Sequence, residues 1–290
     1  MADKTLPPCP LNPVPFIGVA VATRSNPMKA PGTAAPYDSP QTEPMNKTGI
    51  TMIDIHSHLL PGIDDGCGNL AQSIESVRRL KDAGFCGTIC TPHVQPNLSR
   101  LNTPAKIEAW TADLAAALRE AGIEYDVWPG GELRLHEGVI EWVKIHGVPT
   151  MAGSRCVLAD FWIDDNPPWI LDAIRWFFDN GYQPVLAHPE RLAPTPQVDD
   201  MLETMLDLGV WFQGNLRCLT GEDGYRPDRR VRAFLEQDRY RFMALDMHAP
   251  DSLPGRLDGV GLFETEFGAS ALRRLMCDAP RELILQVAQV

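Results

Sequence analysis

Five of the seven histidines in this sequence stand at or just beyond short apolar runs. His56 and His58 are two residues apart at the end of one run, and residues i and i+2 of a strand point to the same face, so both imidazoles can bind one ion. Asp246 and His248 repeat this spacing after a later run. Imidazole and carboxylate ligands together suit Mn²⁺, Zn²⁺ or Fe rather than Ca²⁺. The pattern therefore predicts a metal site of the kind that activates water for hydrolysis.

Acidic side chains occupy the same kind of position as the histidines. The candidate ligands are His56, His58, Asp65, His93, Glu132, Asp160, His188, Asp246 and His248. One such histidine alone is more often a hydrogen-bonded structural residue, but the whole set in one order makes coincidence improbable. Nine ligands are too many for one tetrahedral site and match two or three ions, some of them bridged by a carboxylate. The other two histidines, His136 and His146, lie in helical or loop stretches and are interpreted as structural.

Short β-rich runs that alternate with helical segments must position these residues. The predicted strands are Thr51–His56, Thr88–Thr91, Tyr125–Trp128, Cys156–Phe161, Pro184–Ala187, Val210–Gln213 and Phe242–Leu245. Strict alternation with helices implies parallel strands joined by right-handed crossovers. About seven such units fit a closed β/α barrel better than an open sheet, although periodicity alone does not decide between them. In a barrel the carboxyl ends of the strands meet at one rim, where the nine candidate ligands would gather.

The predicted helices begin and end at recognisable capping residues. Asn69 and Thr103 are predicted N-caps, the second with a proline at the first helical position. The predicted helices are Leu70–Ala83, one that starts at Pro104 and closes at Gly122, one over about Trp169–Asn180 and one over Val198–Leu208.

Composition bounds the class of protein. The chain has 290 residues, 44% of them hydrophobic, which is ample for a large core, and a formal net charge of −12, which disfavours binding to nucleic acid. No apolar run approaches the ~20 residues that span a bilayer, and we expect a cytoplasmic protein. The seven cysteines contain no C-x-x-C pair, and none is followed six positions later by Arg. A cysteine-dependent phosphatase is therefore not predicted.

The first 48 residues differ in composition from the rest of the chain. They hold ten of the 26 prolines, with many Ser, Thr and Ala and no apolar periodicity. Such a composition cannot bury enough apolar surface to offset the cost of ordering, so we predict a disordered extension at 1–48 before a folded domain at 49–290. A misassigned start site is an equal alternative, since Met45 or Met52 would begin the folded part.

Six phrases of the sequence resemble the polymerase and histidinol phosphatase (PHP) superfamily. They are MIDIHSHLLPGIDDG, TPH, GGELR, LADF, AHPERL and ALDMH. More narrowly, they are similar to the bacterial, capsule-associated, manganese-dependent protein-tyrosine phosphatases of that superfamily, over about residue 50 to the C-terminus. The resemblance implies a distorted seven-stranded β/α barrel, three metal ions, and a tyrosine autokinase of polysaccharide export as the phosphoprotein substrate.

The resemblance also implies how the ligands are shared among the ions. One ion would be held by His56, His58, Glu132 and Asp246, a second by Glu132, Asp160 and His188, and a third by Asp65, His93 and His248. Relatives usually carry Glu where Asp160 stands, and this shorter carboxylate puts the metal distance or the choice of metal in doubt.

The predicted reaction is hydrolysis of a phosphate monoester. Two ions can bind a bridging water, lower its pKa and orient it for in-line attack on phosphorus, without a covalent enzyme intermediate. Arg191 and Arg256 are the candidates for binding the phosphate oxygens, and Arg134 is a weaker one. A phenol leaves more readily than an alkyl alcohol, so a general acid is dispensable; Asp64 is a candidate for that role. The aromatic side chains Phe161, Trp162, Trp169 and Trp176 could line a pocket for the ring, although most are expected to pack in the core.

Other functions remain open at this point. Within enzymes, the alternatives are a small-molecule phosphatase of the histidinol-phosphate type and an exonuclease-type phosphodiesterase. An amidohydrolase would usually have a lysine in mid-barrel, and none lies near Glu132 or Asp160. A different class is a non-catalytic, metal-stabilised binding partner of a kinase. Turnover with Mn²⁺, compared with turnover in EDTA, would separate that class from the enzymes.

Overall fold

All the strand pairs in the computed structural model are parallel, as the alternation of strands and helices predicts. The structure describes residues 51–95, 101–162 and 167–285, so the predicted extension at 1–48 lies outside the described residues. The strands are β1 (Met52–Ser57), β2 (Phe85–Cys90), β3 (His93–Val94), β4 (Asp126–Pro129), β5 (Glu132–Arg134), β6 (Cys156–Asp160), β7 (Gln183–Ala187), β8 (Trp211–Asn215) and β9 (Tyr240–Ala244).

The prediction of one closed seven-stranded barrel is wrong in strand count. The described residues form nine strands in two sheets, ordered β1-β2-β4 and β3-β5-β6-β7-β8-β9, and the hydrogen-bonded ladder does not close. Two additional short strands, β3 and β5, follow directly after β2 and β4. The breaks fall at Pro92, which has no N–H to donate, and at Gly130 and Gly131 opposite it. The Glu132 N–H bonds instead to the carbonyl of Pro92, at 3.0 Å.

The end of β1 is joined to the segment that follows β9. The Asp246 N–H donates to the His56 carbonyl at 2.9 Å, and the His58 N–H donates to the Met247 carbonyl at 2.7 Å. Nearer the centre of β1 the carboxylate of Asp54 replaces a ladder partner, because its Oδ1 accepts from the Leu245 N–H at 3.0 Å. These bonds place the H-x-H of β1 beside the D-x-H that follows β9.

Eight α-helices lie among the described residues. They are α1 (Leu70–Asp82), α2 (Pro104–Glu120), α3 (Val139–His146), α4 (Pro168–Asp179), α5 (Pro196–Asp207), α6 (Tyr225–Glu236), α7 (Leu253–Arg273) and α8 (Ala279–Leu285). The predicted helices correspond to α1, α2, α4 and α5. Asn69 caps α1 as predicted, accepting from the Gln72 N–H at 3.1 Å. Thr103 occupies the N-cap position of α2, but its hydroxyl makes no capping bond.

The strands are buried on both faces, because helices cover the outside of the sheets. Every residue of β1, β6 and β7 is buried. Outer-facing strand residues such as Val157 and Leu186 pack with the apolar faces of the helices in one large cluster. Strand residues that alternate with these, such as Leu158 and Val185, belong to a second, smaller cluster. Within the described residues, no helix is both long and apolar enough to cross a membrane.

Candidate metal centre

The histidines and carboxylates predicted from the sequence converge at the carboxyl ends of the strands. Three groups have ligand atoms that lie within 4.8 Å of one another: His58, Asp65, His93 and His248; His56, Glu132 and His188; and His56, His58 and Asp246. Eight of the nine predicted ligands belong to these groups, and Asp160 does not. Shared members link the groups into one cluster, which is the geometry that a polynuclear site requires.

Glu132, the first residue of β5, lies at the centre of the cluster. Its Oε1 is 3.0 Å from the His188 Nε2, and its Oε2 is 2.8 Å from the His93 Nδ1. The same Oε2 lies 3.5 Å from the His56 Nε2 and 3.6 Å from the His58 Nε2. One carboxylate therefore faces four imidazoles and could serve as a shared ligand if cations bound here.

Unpartnered nitrogen atoms show that the residues fit a bound cation. The Nε2 atoms of His56 and His58 are buried and have no hydrogen-bond partner among the described residues. Each lies 3.5 Å from the Asp246 Oδ1, which is too long for a good hydrogen bond. Buried polar atoms without partners are costly, and a divalent cation between these nitrogens and carboxylate oxygens would satisfy them.

Neighbouring charges and hydrogen bonds shift the pKa values of the side chains in the cluster. Burial works against charge on His93, but hydrogen bonds with Asp65 and Glu132 outweigh it and raise the pKa of His93 to about 10. Burial alone would raise the pKa of Glu132, yet the adjacent His56 and His188 hold it well below its usual value. The pKa of Asp246 is lowered in the same way, against burial, with His56 as the strongest neighbour. Cations that bind here must displace these protons.

Hydrogen bonds behind the cluster orient the two imidazoles of the H-x-H pair. Gln213, the middle residue of β8, accepts from the His56 Nδ1 through its Oε1 at 2.8 Å, while its own Nε2 donates to the Gly214 carbonyl. Asp64 accepts from the His58 Nδ1 at 2.8 Å. A proton held on Nδ1 leaves Nε2, which faces the carboxylates, as the nitrogen of each ring that a cation would bind.

Gln213→Ala is expected to lower the affinity for Mn²⁺ about 10- to 100-fold, because His56 loses the acceptor that fixes its tautomer and ring orientation. The matched control is Gln183→Ala on β7. Gln183 is also buried, but its amide donates only to the backbone carbonyls of Pro184 and Gly209. Calorimetric titration with Mn²⁺ should separate the two variants, and equal weakening in both would contradict a specific role for Gln213.

The suggestion that Asp64 acts as a general acid is not supported by its contacts. Its carboxylate accepts from the His58 Nδ1 and from the backbone N–H groups of Gly66 and His93. These bonds outweigh burial, with the bond from His58 the strongest, and lower the pKa of Asp64. An ionised carboxylate with its oxygens occupied holds His58 and the His93 backbone in place instead of donating a proton.

Two of the predicted ligands have an unusual backbone conformation. His188, directly after β7, and Asp246, two residues after β9, adopt positive φ angles of 35° and 51°. Side chains other than glycine are uncommon in this region, where His and Asp are enriched. The turn lets each side chain face the cluster at the point where its strand ends, and local strain of this kind concentrates at functional sites.

Asp160, at the end of β6, is buried beside the cluster but has other partners. Its Oδ2 accepts from the Trp162 Nε1 at 2.7 Å, and its Oδ1 lies 3.1 Å from the Arg134 Nε. Burial and the nearby Glu132 raise the pKa of Asp160 to about 6. Trp162 itself is 54% exposed, and its ring lies 6.0 Å from that of His188. The other aromatic candidates Phe161, Trp169 and Trp176 pack in or against the core.

The two predicted phosphate-binding arginines lie beside the cluster. Arg191 donates to the Asp246 Oδ2 at 2.7 Å and to Asp223 at 3.2 Å. Arg256 is buried and spends its donors mainly on the carbonyls of residues 245, 246 and 252. Both arginines line an open cavity of about 570 Å³ together with His248. Neither His136 nor His146 belongs to any of the three groups of potential ligands.

Two polar residues of β8 that contact the cluster were not predicted from the sequence. Besides Gln213, Asn215 donates from its Nδ2 to the Asp246 Oδ2 at 2.9 Å. With Arg191 on the same oxygen, this bond leaves the Asp246 Oδ1 facing His56 and His58. Gln213 and Asn215 are two residues apart on one strand, the same spacing as His56 and His58, but amides are not the usual ligands of Mn²⁺ or Zn²⁺, so residue type gives no signal for them.

Comparison with known proteins places this chain among capsule-associated proteins. The family described as "Capsular polysaccharide synthesis, CpsB/CapC" matches residues 52–285. The tyrosine-protein phosphatase YwqE of Bacillus subtilis is 31% identical over 204 residues, which cover 68% of this chain and 77% of that relative. The tyrosine-protein phosphatase CpsB of Streptococcus pneumoniae is 26% identical over 241 residues, covering 81% of this chain and 98% of that relative.

A comparison with solved structures also finds a relative from this group of phosphatases. A chain from the crystal structures of Bacillus subtilis YwqE and Streptococcus pneumoniae CpsB, described as unique metal-dependent tyrosine phosphatases, superposes with a TM-score of 0.72 at 28% identity. The superposition covers 81% of this chain and 95% of that chain.

Proposed function

The chain belongs to the CpsB/CapC family of capsular polysaccharide synthesis proteins, and on this premise we propose that it is a metal-dependent tyrosine phosphatase. The observation that supports the proposal most is the buried cluster around Glu132, in which the Nε2 atoms of His56 and His58 face carboxylates without hydrogen-bond partners. Residues 49–290 carry the activity in this proposal. We further infer that the two sheets are parts of one distorted barrel of PHP type, supported by the backbone bonds between β1 and the segment after β9.

The proposed cofactor is Mn²⁺, as two or three ions. The proposed ligands are His56, His58, Asp65, His93, Glu132, Asp160, His188, Asp246 and His248. Bound cations would supply the positive charge that acidifies a water nucleophile and offsets the charge on the phosphate oxygens. Asp160 joins this set through its position next to Glu132 and His188, and it would have to share its oxygens with Arg134 and Trp162.

The residues around the cluster fit an aryl phosphate dianion. Arg191 and Arg256 line the cavity beside His248, so a phosphate there would lie near two positive charges, of which Arg256 already gives most of its donors to backbone carbonyls. Asp223 and Asp246 hold Arg191 in place. Burial would lower the pKa of Arg191, but the two carboxylates outweigh it and raise that pKa, so Arg191 stays protonated. The exposed indole of Trp162, close to His188, offers an apolar face for the tyrosine ring.

A tyrosine phosphatase needs little help with its leaving group, since a phenol has a pKa near 10. Asp64 is committed to His58 and His93, and this arrangement leaves protonation of the departing phenolate to solvent. The same feature predicts a preference for aryl over alkyl phosphates.

The substrate preference can be tested with a panel of three compounds. We expect the protein with Mn²⁺ to hydrolyse a phosphotyrosine peptide with kcat/KM at least about tenfold above that for histidinol phosphate, and to leave single-stranded DNA intact. The tenfold difference corresponds to about 1.4 kcal/mol of transition-state stabilisation. Faster hydrolysis of histidinol phosphate would favour a small-molecule phosphatase instead. No turnover of any compound would favour a non-catalytic partner of a kinase. The phosphoprotein that we propose as the substrate is a tyrosine autokinase of polysaccharide export.

A further inference from the structure

An open groove of about 730 Å³ adjoins the cluster of candidate ligands on the side of Arg191. One wall is the segment from Glu190 to Pro194, which follows β7, and the other is the first two turns of α6, from Tyr225 to Arg230. Arg191 lines both this groove and the cavity that contains His248. A polypeptide whose phosphate occupies the cavity can therefore continue directly into the groove.

The groove contains positive charge that the described residues do not neutralise. Of its four arginines, Arg191 is paired with Asp223 and Asp246, and Arg230 is paired with Asp199. Arg226 and Arg229 are exposed and form no ion pair with any carboxylate in the described parts of the chain. Arg229 instead lies over the ring of Tyr225, 5.5 Å from its centroid, and donates to the Tyr225 hydroxyl at 3.2 Å.

The stability of α6 does not explain Arg226, although it is served by the contact of Arg229 with Tyr225 one turn earlier. The N-terminal end of a helix carries a partial positive charge, which favours acidic side chains in the first turn and disfavours basic ones. Arg226 stands in that first turn. The protein as a whole is acidic, with a formal net charge of −12, so an uncompensated basic patch beside a phosphate site points to an anionic ligand.

We propose that this groove binds an acidic stretch of the substrate polypeptide next to its phosphotyrosine, with Arg226 and Arg229 pairing with the carboxylates. This inference rests on the proposed function. The wall formed by Leu192, Ala193 and Pro194 and the exposed ring of Tyr225 offer apolar surface between the charges, which suits a peptide better than a free anion.

The inference is tested with two phosphotyrosine peptides of the same length, one with Glu and one with Gln at the flanking positions. The Glu peptide should have the higher kcat/KM on the wild-type protein with Mn²⁺, and the preference should shrink as the ionic strength rises. In the double variant Arg226→Gln/Arg229→Gln we expect kcat/KM for the Glu peptide to fall about fivefold, through KM, as two exposed ion pairs are lost. The Gln peptide and phenyl phosphate should be turned over as by the wild type.

The matched control is the double variant Arg119→Gln/Arg155→Gln, which changes the net charge equally. Both arginines are exposed and lie away from the groove, Arg119 near the end of α2 and Arg155 just before β6. This variant should keep the wild-type preference. Equal kcat/KM for the two peptides on the wild-type protein, or a Glu preference that survives in the groove variant, would overturn the docking inference while leaving the phosphatase proposal intact. Failure of the wild type to hydrolyse any of the three substrates would overturn both.

Discussion

Glu132→Gln is expected to lower kcat/KM for phenyl phosphate by at least about a thousandfold in the presence of Mn²⁺. The Glu132 carboxylate is the group that faces four imidazoles, from His56, His58, His93 and His188. The amide of glutamine keeps the size of the side chain but carries no charge and cannot bridge two cations through both of its ends. Charge stabilisation by cations in hydrolysis is worth several kcal/mol, so its loss corresponds to a factor of about a thousand or more.

The same variant should no longer respond to Mn²⁺ in a thermal unfolding experiment. A ligand present at 100 times its Kd stabilises a folded protein by about 2.7 kcal/mol. For a domain of this size each kcal/mol shifts Tm by about 2–4 °C, so the wild type should gain about 5–10 °C on addition of Mn²⁺. The variant should gain about 1 °C or less, because the carboxylate that faces the four imidazoles is gone.

Glu190→Gln is the matched control for this experiment. Glu190 is as buried as Glu132, and its carboxylate accepts from the Asn215 N–H and from the Tyr240 hydroxyl. It belongs to none of the three groups of potential ligands. We expect it to lose no more than about tenfold in kcat/KM and to keep the Mn²⁺-dependent rise in Tm. A Glu132 variant that retained the rise in Tm and most of its activity would contradict the central role of Glu132.

The seven strands predicted from the sequence are all present as β1, β2, β4, β6, β7, β8 and β9, each displaced by a few residues at most. The apolar pattern did not predict two further strands, β3 and β5, which have only two and three residues. Runs this short carry no detectable periodicity. They form because the chain continues in the direction of β2 and β4 after a break at Pro92 and at the glycines opposite it. His93 and Glu132 owe their places in the cluster to these two strands.

Helices α3, α6, α7 and α8 were not predicted, and the sequence of α7 opposes helix formation locally. Helix α7 contains three glycines before its kink at Gly268, and glycine is a poor helix former. One of them, Gly259, has a tertiary reason: a Cβ atom there would collide with the backbone carbonyl of Leu216. The close approach of α7 to the segment after β8 is thus a property of the packed protein, which no local pattern indicates.

The residues that hold the cluster were harder to predict than its candidate ligands. His56 and His58 are identifiable by residue type and spacing, but Gln213 and Asn215 are ordinary amides whose roles depend on which strand lies beside which. The order of the strands brings β8 next to β9 and places the Gln213 amide against His56. Conversely, residue type alone suggested that Arg256 is available to bind phosphate, but most of its N–H groups donate to backbone carbonyls.

Removal of divalent cations with EDTA is expected to abolish hydrolysis of phenyl phosphate, and addition of excess Mn²⁺ to restore it. The histidines of the cluster make this effect depend on pH in a defined direction. The pKa values of His58 and His93 are raised in the metal-free protein, where burial is outweighed by bonds to carboxylates. Both rings are therefore protonated at pH 7 and must release protons when a cation binds. The apparent affinity for Mn²⁺ should rise from pH 6 to pH 8, and a titration in weak buffer should release protons.

Alkylation with N-ethylmaleimide, by contrast, should leave most of the activity. Five of the six cysteines in the described residues are buried, and Cys86 is half-buried. Burial raises the pKa of the Cys277 thiol to about 11. Burial also raises the pKa of Cys218, whose thiol donates to Asp223, the carboxylate that Arg191 also contacts. Such thiols carry almost no thiolate at pH 7 and are poor nucleophiles. Cys9 lies outside the described residues, and a Cys9→Ser variant separates its alkylation from that of the others. Loss of activity in the alkylated Cys9→Ser protein, with the response to Mn²⁺ intact, would mean that a thiol takes part in the reaction and that hydrolysis does not depend on the cluster alone.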